Sequence, residues 1–217
     1  MSDDILVRPY EPYDREAVRK ICCDTAARGE AVEHFFQDRE AAADLLTSYY
    51  TDYEPQAVWI AEHEGRVIGY LTGCLDTHRY WRMVLWRVGP GAVLRTIGRG
   101  ALLSRQTWRF LKAMMKTWFL SGVRRPISLD NYPSHLHVSV QEGFRGQHVG
   151  RRLVERFCEQ VQAAGLKGVY APAREDNLQA RGLFEGMGFT VVNRRRMVLP
   201  EEGADQISYA VIYGKRL

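Results

Sequence analysis

The chain has 217 residues, of which 46% are hydrophobic and 26% are charged. These proportions are ordinary for a globular protein and exclude a disordered or collagen-like chain, and no apolar run is long enough to cross a membrane. The formal net charge of +4 is too small to indicate nucleic-acid binding unless the bases are clustered. The four cysteines follow neither a metal-ligand nor a disulfide spacing, and the acidic start is not followed by a signal segment. We therefore expect a cytoplasmic protein without a metal cofactor.

The first third of the chain predicts a strand, two helices and a hairpin. Short apolar or β-branched runs predict strands over 5–9, 57–61 and 67–75. Asp14 and Asp38 each precede apolar residues at helical spacing, and an aspartate in that position accepts hydrogen bonds from the first turn of a helix. We therefore expect one helix to begin after each aspartate.

The interval of about 77–129 differs in composition from the rest of the chain. It contains no Asp or Glu, eleven Arg or Lys residues and four of the five tryptophans. Between 102 and 120 the bases recur three or four residues apart, which places them on one side of a helix. These bases are Arg105, Arg109, Lys112 and Lys116, while Leu103, Leu111, Met114 and Trp118 are expected on the opposite side. The interval therefore predicts an insertion that contains a basic amphipathic helix.

Three interpretations of this insertion stay open at the level of the sequence. It binds an acidic acceptor, it lies on an anionic membrane surface through residues 101–120, or it is a packed helix with a solvated basic face. Nucleic acid is the weakest alternative, because the basic and aromatic residues form no known recognition motif.

A strand, a glycine-bearing turn and a helix follow one another between residues 134 and 158. A β-branched run over 136–140 predicts the strand, and apolar residues at helical spacing from Gly150 onward predict the helix. The first turn of a helix leaves backbone N–H groups unpaired and carries a partial positive charge, so it favours anions. Gly146 and Gly150 allow the backbone to approach a phosphate closely, because they carry no Cβ.

The last part of the chain alternates strands and helices. Strands are predicted over 168–172, from Phe189 onward and over 207–213, and a helix begins at Asp176 or Asn177. The complete order is β-α-α-β-β, the insertion, then β-α-β-α-β-β. This order predicts an α/β fold in which a mixed sheet carries helices on both faces. We expect residues 1–217 to form a single domain.

Two motifs lie in register on this framework. The first is Arg145-Gly146-Gln147-His148-Val149-Gly150, and the second comprises Asn177, Ala180, Phe184, Gly188 and Phe189. Together they resemble the signature of the GNAT superfamily of acyl-CoA-dependent N-acetyltransferases, except that His148 stands where the family has a glycine. More narrowly, residues 132–137 are similar to bacterial relatives of the acetyltransferase-like domain of O-GlcNAc hydrolases, although Ser139 stands where those relatives are expected to have an acidic residue.

The resemblance implies a mixed, mostly antiparallel GNAT-type sheet and acetyl-CoA as the cosubstrate. In that fold the fourth and fifth strands separate at a β-bulge, and the pantetheine and thioester lie in the gap. His148 is expected to fit only if its backbone does not need a positive φ. The cofactor-binding residues that the resemblance implies are Val138, Ser139, Val140, Arg145, Gly146, Gln147, His148, Val149, Gly150, Arg151, Asn177, Ala180 and Phe184.

Acetyl transfer requires a neutral amine, so a general base is useful, and the departing thiolate benefits from a proton donor. His135 and His137 are candidate bases because they titrate in the useful range, and they share one face of the strand with Ser139. Glu142 is a third candidate, acting through a water molecule. Many family members carry a tyrosine as the donor, but Phe184 occupies that position here.

The resemblance implies direct transfer of acetyl to an amine of a small molecule or peptide within a ternary complex. Neither motif places a nucleophilic cysteine, so a covalent acetyl-enzyme is not expected. The alternative is a non-catalytic acyl-CoA-binding or regulatory module that has kept the cofactor cleft. The acceptor and the oligomeric state, a dimer included, stay open.

Overall fold

The computed structural model describes residues 4–26, 32, 38–98, 105–121, 127–199 and 206–217. Its strands are β1 (Ile5–Pro9), β2 (Val58–His63), β3 (Arg66–Cys74), β4 (Ser134–Val140), β5 (Gly168–Arg174), β6 (Thr190–Leu199) and β7 (Gln206–Arg216). Within the described residues these strands form one sheet in the order β1-β2-β3-β4-β5-β7-β6. Every neighbouring pair is antiparallel except β4 and β5. The mixed, mostly antiparallel sheet is therefore confirmed.

Helices cover both faces of this sheet, as predicted. They are α1 (Arg15–Thr25), α2 (Arg39–Tyr53), α3 (Thr77–Met83), α4 (Gly89–Gly98), α5 (Arg105–Ser121), α6 (Val149–Ala163) and α7 (Leu178–Gly186). On one face, Phe157 of α6 and Phe184 of α7 belong to a buried cluster with Leu71 of β3. On the other, Val18 of α1 and Tyr49 of α2 pack in a second cluster. In β2, Val58 and Ile60 belong to the second cluster and Ala61 to the first, because side chains of a strand point to opposite faces in turn.

The two aspartates expected to start helices behave differently. Asp38 caps α2, because its carboxylate accepts a hydrogen bond of 2.9 Å from the N–H of Ala41. Asp14 precedes α1, but its carboxylate makes no capping hydrogen bond. It instead forms an ion pair of 2.7 Å with Arg8 of β1 and accepts from the N–H of Glu11 at 2.8 Å. Asp14 therefore ties the start of α1 to the first strand.

The insertion forms helices α3, α4 and α5 between β3 and β4, with a π-helical turn at Val84–Val88. Helix α5 packs against β6, where Thr117 Oγ1 accepts a hydrogen bond of 2.8 Å from the N–H of Val198. Arg95 of α4 forms an ion pair of 2.7 Å with Asp44 of α2. The insertion is therefore attached to both the sheet and the α2 side of the molecule.

The predicted basic face of α5 is confirmed, and three apolar residues that were not assigned to either side are exposed with it. The four bases Arg105, Arg109, Lys112 and Lys116 are exposed, as expected. Trp108, Met115 and Phe119 are exposed beside them. The side that packs on the sheet buries Thr107 and Ala113. Leu103 and the side chains of Leu111, Met114 and Trp118 lie outside the described residues.

Strands β4 and β5 separate soon after they meet. Their parallel pairing is limited to Ser134 with Val169 and His135 with Tyr170. The β-bulge expected at this separation is absent from both described strands, because β4 stays in unbroken register with β3 over 135–140 and β5 with β7 over 168–174. The separation has a different cause. Glu175 donates its N–H to the carbonyl of Tyr209 in β7. Backbone groups alternate in direction along an antiparallel pair, so the backbone nitrogen of Pro172 faces β4 instead. Proline has no N–H, so β5 cannot donate a hydrogen bond to β4 at this position.

Among the described residues, none of the helices is both long enough and apolar enough to cross a bilayer.

Candidate active site

The gap between β4 and β5 opens into a cavity of about 880 Å³. Its walls come from both predicted motifs and from helices that neither motif includes. One end is formed by the turn before α6 and by α7, and the other by α1, α2 and α3. Among the described residues, no Asp or Glu lines the cavity, whereas Arg145, Arg151 and Arg174 do. This distribution of charge suits an anionic ligand.

The anion-binding end is built by the turn that precedes α6. Helix α6 begins at Val149, so the N–H groups of its first turn have no partner within the helix. Val149, Gly150 and Arg151 all line the cavity. Gly146 has a φ of 77°, in the left-handed region that glycine adopts without strain. A helix N-terminus next to a left-handed glycine turn is thus directed at the cavity.

His148 does not meet the condition set for it by the sequence. Its φ is 60° and its ψ is 9°, which is the left-handed conformation in which glycine is favoured. A side chain in that conformation costs about 1–2 kcal/mol relative to the right-handed one. The turn therefore keeps the backbone path expected for a glycine and tolerates the strain of His148, which lines the cavity.

The polar side chains of the turn already have partners within the protein. Arg145 donates from Nε to the carbonyl of Val140 at 3.1 Å. Arg151 pairs with Glu155 one turn further along α6, with Nε and Oε1 3.0 Å apart. Gln147 is exposed, does not line the cavity, and donates to the carbonyl of Gly143 at 3.1 Å. The backbone of the turn and Arg145 are therefore its main groups at the cavity.

The second half of β4 presents backbone groups to the gap. Gln141 donates its N–H to Ile68 of β3 at 2.9 Å, so the alternation of an antiparallel pair directs the amides of His137 and Ser139 toward β3 as well. The N–H and C=O groups of Val138 and Val140 point the opposite way, toward the missing β5 partner. An amide-containing ligand in the gap meets an open strand edge there.

The residues of the second motif lie opposite that edge. Asn177 lines the cavity and caps α7, because its side-chain oxygen accepts from the N–H of Ala180 at 3.0 Å. Phe184 lines the cavity but is only 2% exposed, and its ring packs on Phe189 and Tyr213. This part of the site is apolar and carries no phenol that donates a proton.

The structure separates the two histidines of β4. His135 is 3% exposed and absent from the cavity wall, and both of its ring nitrogens are engaged. Nε2 shares a hydrogen bond of 3.0 Å with the Tyr50 hydroxyl, and Nδ1 one of 2.8 Å with the Thr77 hydroxyl. Burial and the nearby His137 hold the pKa of His135 well below its usual value, so the ring is neutral. His135 therefore positions Tyr50 rather than meeting a ligand.

His137 lines the cavity floor, where its side chain is exposed to the cavity interior but surrounded by protein. Because these surroundings disfavour the charged imidazolium, the pKa of His137 is lowered to about 4. Its ring lies 6.1 Å from that of Tyr50 and 6.0 Å from that of His135, centroid to centroid. The imidazole is thus neutral at pH 7 and faces the cavity.

Glu142 is not brought to the site. It lies exposed at the start of the 3-10 turn Glu142–Phe144 and does not line the cavity. Tyr170 is also absent from the wall, and burial raises its pKa to about 12. Within the described residues, no group of three His, Cys, Asp or Glu side chains is arranged to hold a metal ion.

Tyrosines that the sequence did not single out complete the second end of the cavity. Tyr50 comes from α2, Tyr70 from β3 and Tyr80 from α3. The Tyr50 and Tyr80 rings stack with their centroids 5.7 Å apart, and Tyr70 lies opposite Ser139 in the β3–β4 register. Burial raises the pKa of Tyr50 and of Tyr70 well above the usual value, so both phenols stay protonated. Only the pairing of β3 with β4, which places Tyr70 opposite Ser139, could have indicated Tyr70 as a cavity residue.

Comparisons with known proteins agree with this architecture. The chain superimposes on the structure of SsHAT with a TM-score of 0.70 at 23% identity, covering 98% of each chain. For yncA of Salmonella typhimurium with its cofactor acetyl-CoA, the TM-score is 0.59 at 16% identity over 99% of this chain and 95% of that one. A ribosomal-protein-alanine N-acetyltransferase from Brucella melitensis gives 0.58 at 19% identity over 98% and 99%. These likenesses establish the shared fold.

A model of the acetyltransferase (GNAT) family matches residues 25–189, well over half of the chain, and spans the cavity and both motifs. The chain belongs to the acetyltransferase (GNAT) family.

Proposed function

We propose that this protein transfers the acetyl group of acetyl-CoA directly to an amine held in the same cavity. The observation that carries the proposal is the continuity of that cavity. It runs from an anion-binding helix terminus, along an open strand edge, to a neutral histidine and a wall of tyrosines. A cofactor and an acceptor bound at the two ends meet at the floor, where no covalent relay is needed. Family membership supports the use of acetyl-CoA.

The cofactor is assigned to the α6 and α7 end. The pyrophosphate binds the N–H groups at the start of α6 and receives a charge-assisted contact from Arg145. The pantetheine amides pair with the backbone of Val138 and the N–H of Val140, whose C=O already accepts from Arg145, in the manner of an added strand. Asn177 donates from its NH₂ group to the same arm. Gln147 has no part in this arrangement, because it does not line the cavity.

His137 is the proposed general base, because its ring is neutral and faces the cavity. The amine nitrogen attacks the thioester carbon, and the new C–N bond forms as the amine proton passes to His137. The C–S bond then breaks, and the imidazolium returns the proton to the departing sulfur. An imidazolium with a low pKa gives up its proton readily, so one residue serves as base and acid where Phe184 cannot donate. General acid–base catalysis of this kind contributes about 10²–10⁴ in rate.

The tyrosine wall is assigned to the acceptor. The Tyr50 hydroxyl is hydrogen-bonded to His135, and the Tyr80 ring stacks on that of Tyr50, so these phenols have fixed positions. Their protonated hydroxyls offer hydrogen bonds to an acceptor, and their rings offer it an apolar surface. Leu45 and Leu46 of α2 extend the same wall and are partly exposed.

The test measures binding and transfer separately. Calorimetry gives the dissociation constant of acetyl-CoA, and a free-thiol assay follows CoA release with a panel of amines, aminosugars and peptides. We expect His137→Ala to lower turnover by about a hundredfold or more while leaving the dissociation constant unchanged. His63→Ala, which removes a histidine outside the cavity wall, is the matched control and should keep wild-type turnover.

Two results would contradict the proposal. Turnover of the His137 variant equal to that of the control removes this residue from the chemistry. Tight binding of acetyl-CoA without CoA release for any acceptor instead supports the alternative, a module that binds acyl-CoA without catalysis.

A further inference from the structure

The insertion exposes more large apolar side chains than any other part of the described molecule. Six of the fourteen exposed large hydrophobic residues lie in it, including every tryptophan and phenylalanine of that set. Their exposed fractions are Trp81 55%, Leu85 66%, Trp86 76%, Trp108 51%, Met115 57% and Phe119 74%. Side chains of this size are enriched where a protein surface meets an apolar partner.

On α5 these side chains form a defined strip. Residues 105, 108, 109, 112, 115, 116 and 119 fall on one side of the helix at 100° per residue, and all are exposed. They cover about one third of the helix circumference. Trp108, Met115 and Phe119 lie along one margin of this arc, and the four bases lie along the other. The buried residues Thr107 and Ala113 lie on the far side, where the helix packs on β6.

The same combination recurs in α3 and the π-helical turn. Trp81, Leu85 and Trp86 are exposed there, and Arg79, Arg82 and Arg87 are exposed among them. No acidic residue occurs anywhere between 77 and 129, so nothing within the insertion offsets this charge. Two separate elements of the insertion therefore present exposed aromatic side chains next to exposed bases.

We propose that the insertion docks on an anionic lipid surface, with its Arg and Lys side chains at the lipid phosphates and its Trp, Met and Phe side chains in the boundary between headgroups and acyl chains. A helix lying in that plane is stabilised by burial of its apolar margin and by the attraction of its bases to anionic lipid. Both contributions are supplied by the exposed arc of α5.

Charge and apolarity together favour lipid over the other occupants. A second copy of the chain would bring basic arcs of like charge against each other, which is unfavourable. Duplex nucleic acid would satisfy the bases but would offer the exposed aromatic and methionine side chains no apolar phase. Helix α3 contributes to both sites, because Tyr80 lines the cavity while Trp81 is exposed on the outside.

Vesicle flotation tests the proposal without any measurement of catalysis. The intact protein is mixed with vesicles of phosphatidylcholine alone or of phosphatidylcholine with an equal amount of phosphatidylglycerol. We expect binding only to the second kind, weakening as salt rises. The apolar variant Trp86→Ala with Phe119→Ala and the charge variant Arg105→Glu with Lys112→Glu should each reduce partitioning about tenfold or more. Their thermal unfolding is compared with wild type to show that each remains folded.

The matched control is Leu6→Ala. Leu6 is 56% exposed but lies on β1, at the edge of the sheet opposite the one on which α5 packs. It should bind vesicles like wild type. The proposal is overturned if binding is absent, if it is equal for neutral and anionic vesicles, if the folded variants bind like the control, or if duplex DNA at the same salt displaces the vesicles.

Discussion

Replacement of His148 by glycine should stabilise the protein. His148 is one of two non-glycine residues with positive φ among the described residues, at 60°. Release from the left-handed conformation is worth about 1–2 kcal/mol, and the greater backbone entropy of glycine in the unfolded chain offsets about 0.5–1 kcal/mol of it. The net expectation is a gain of about 0.5–1 kcal/mol, or about 1–4 °C in Tm for a chain of this length.

Two further variants isolate the backbone contribution. His148→Ala removes the imidazole but keeps the strained φ, so its unfolding free energy should stay within about 0.5 kcal/mol of wild type. Gly146→Ala adds a Cβ that meets no atom within 4 Å, at a φ of 77°. Its only cost is conformational, and it should destabilise by about 1 kcal/mol. Urea unfolding of the three variants is the assay.

A loss of stability in His148→Gly, or equal stabilisation by alanine and glycine, would refute the reasoning from the backbone. Acetyl-CoA binding by the same variants shows whether the imidazole of His148 contacts the cofactor. The N–H groups of the turn are retained, so we expect His148→Gly to bind at least as tightly as wild type. Tenfold weaker binding in both the glycine and the alanine variant would show that the imidazole itself contacts the cofactor.

Three further predictions concern the two β4 histidines and the packing of α6. The pKa of His137 is about 4, below its usual 6.5. The contribution of its neutral ring to the free energy of unfolding is therefore complete above pH 6.5 and is lost as pH falls through 4. His137→Gln should lose less stability than wild type on acidification, and equal pH profiles of unfolding for the two proteins would contradict this. His135→Ala should destabilise by about 2–4 kcal/mol because it leaves two buried hydroxyls unpaired, and Tyr50→Phe by about 1 kcal/mol; equal losses in urea unfolding would argue against the positioning role. Gly73→Ala places a Cβ 2.1 Å from Cε2 of Phe157 and should destabilise the protein by more than about 2 kcal/mol. Adding Phe157→Leu to this variant should recover part of the loss. If it does not, the clash with the ring is not the cause.

Local chemistry explains why the order of the elements and the residues at the α6 and α7 end of the cavity could be predicted from the sequence. A strand, a turn or a helix start depends on neighbouring residues, and the segments that meet at the cofactor end are themselves short and contiguous. Asp38 capped α2 as expected, and twelve of the thirteen residues expected to bind the cofactor line the cavity, Gln147 being the exception. Asp14 also precedes a helix, but its carboxylate forms an ion pair with Arg8 of β1 instead of capping that helix.

The tyrosine-lined end of the cavity depended on contacts between distant parts of the chain. Tyr50, Tyr70 and Tyr80 lie on three different elements, and only the packing of α2 and α3 over β3 and β4 brings them together beside His137. The difference between His135 and His137 also lies in their surroundings, because both share one face of one strand. The periodicity of the sequence does not show which of the two histidines packs behind Tyr50 and which lines the cavity.

The outward side of α5 shows the same limit. The spacing of its bases predicted a basic face, but the sequence could not show that Trp108, Met115 and Phe119 stay exposed beside it, because the width of the face packed on the sheet depends on β6. A periodic sequence thus determines that a helix has two sides and which residues share each. Only the tertiary structure decides how much of the apolar side is buried, because burial requires a partner surface that lies elsewhere in the chain.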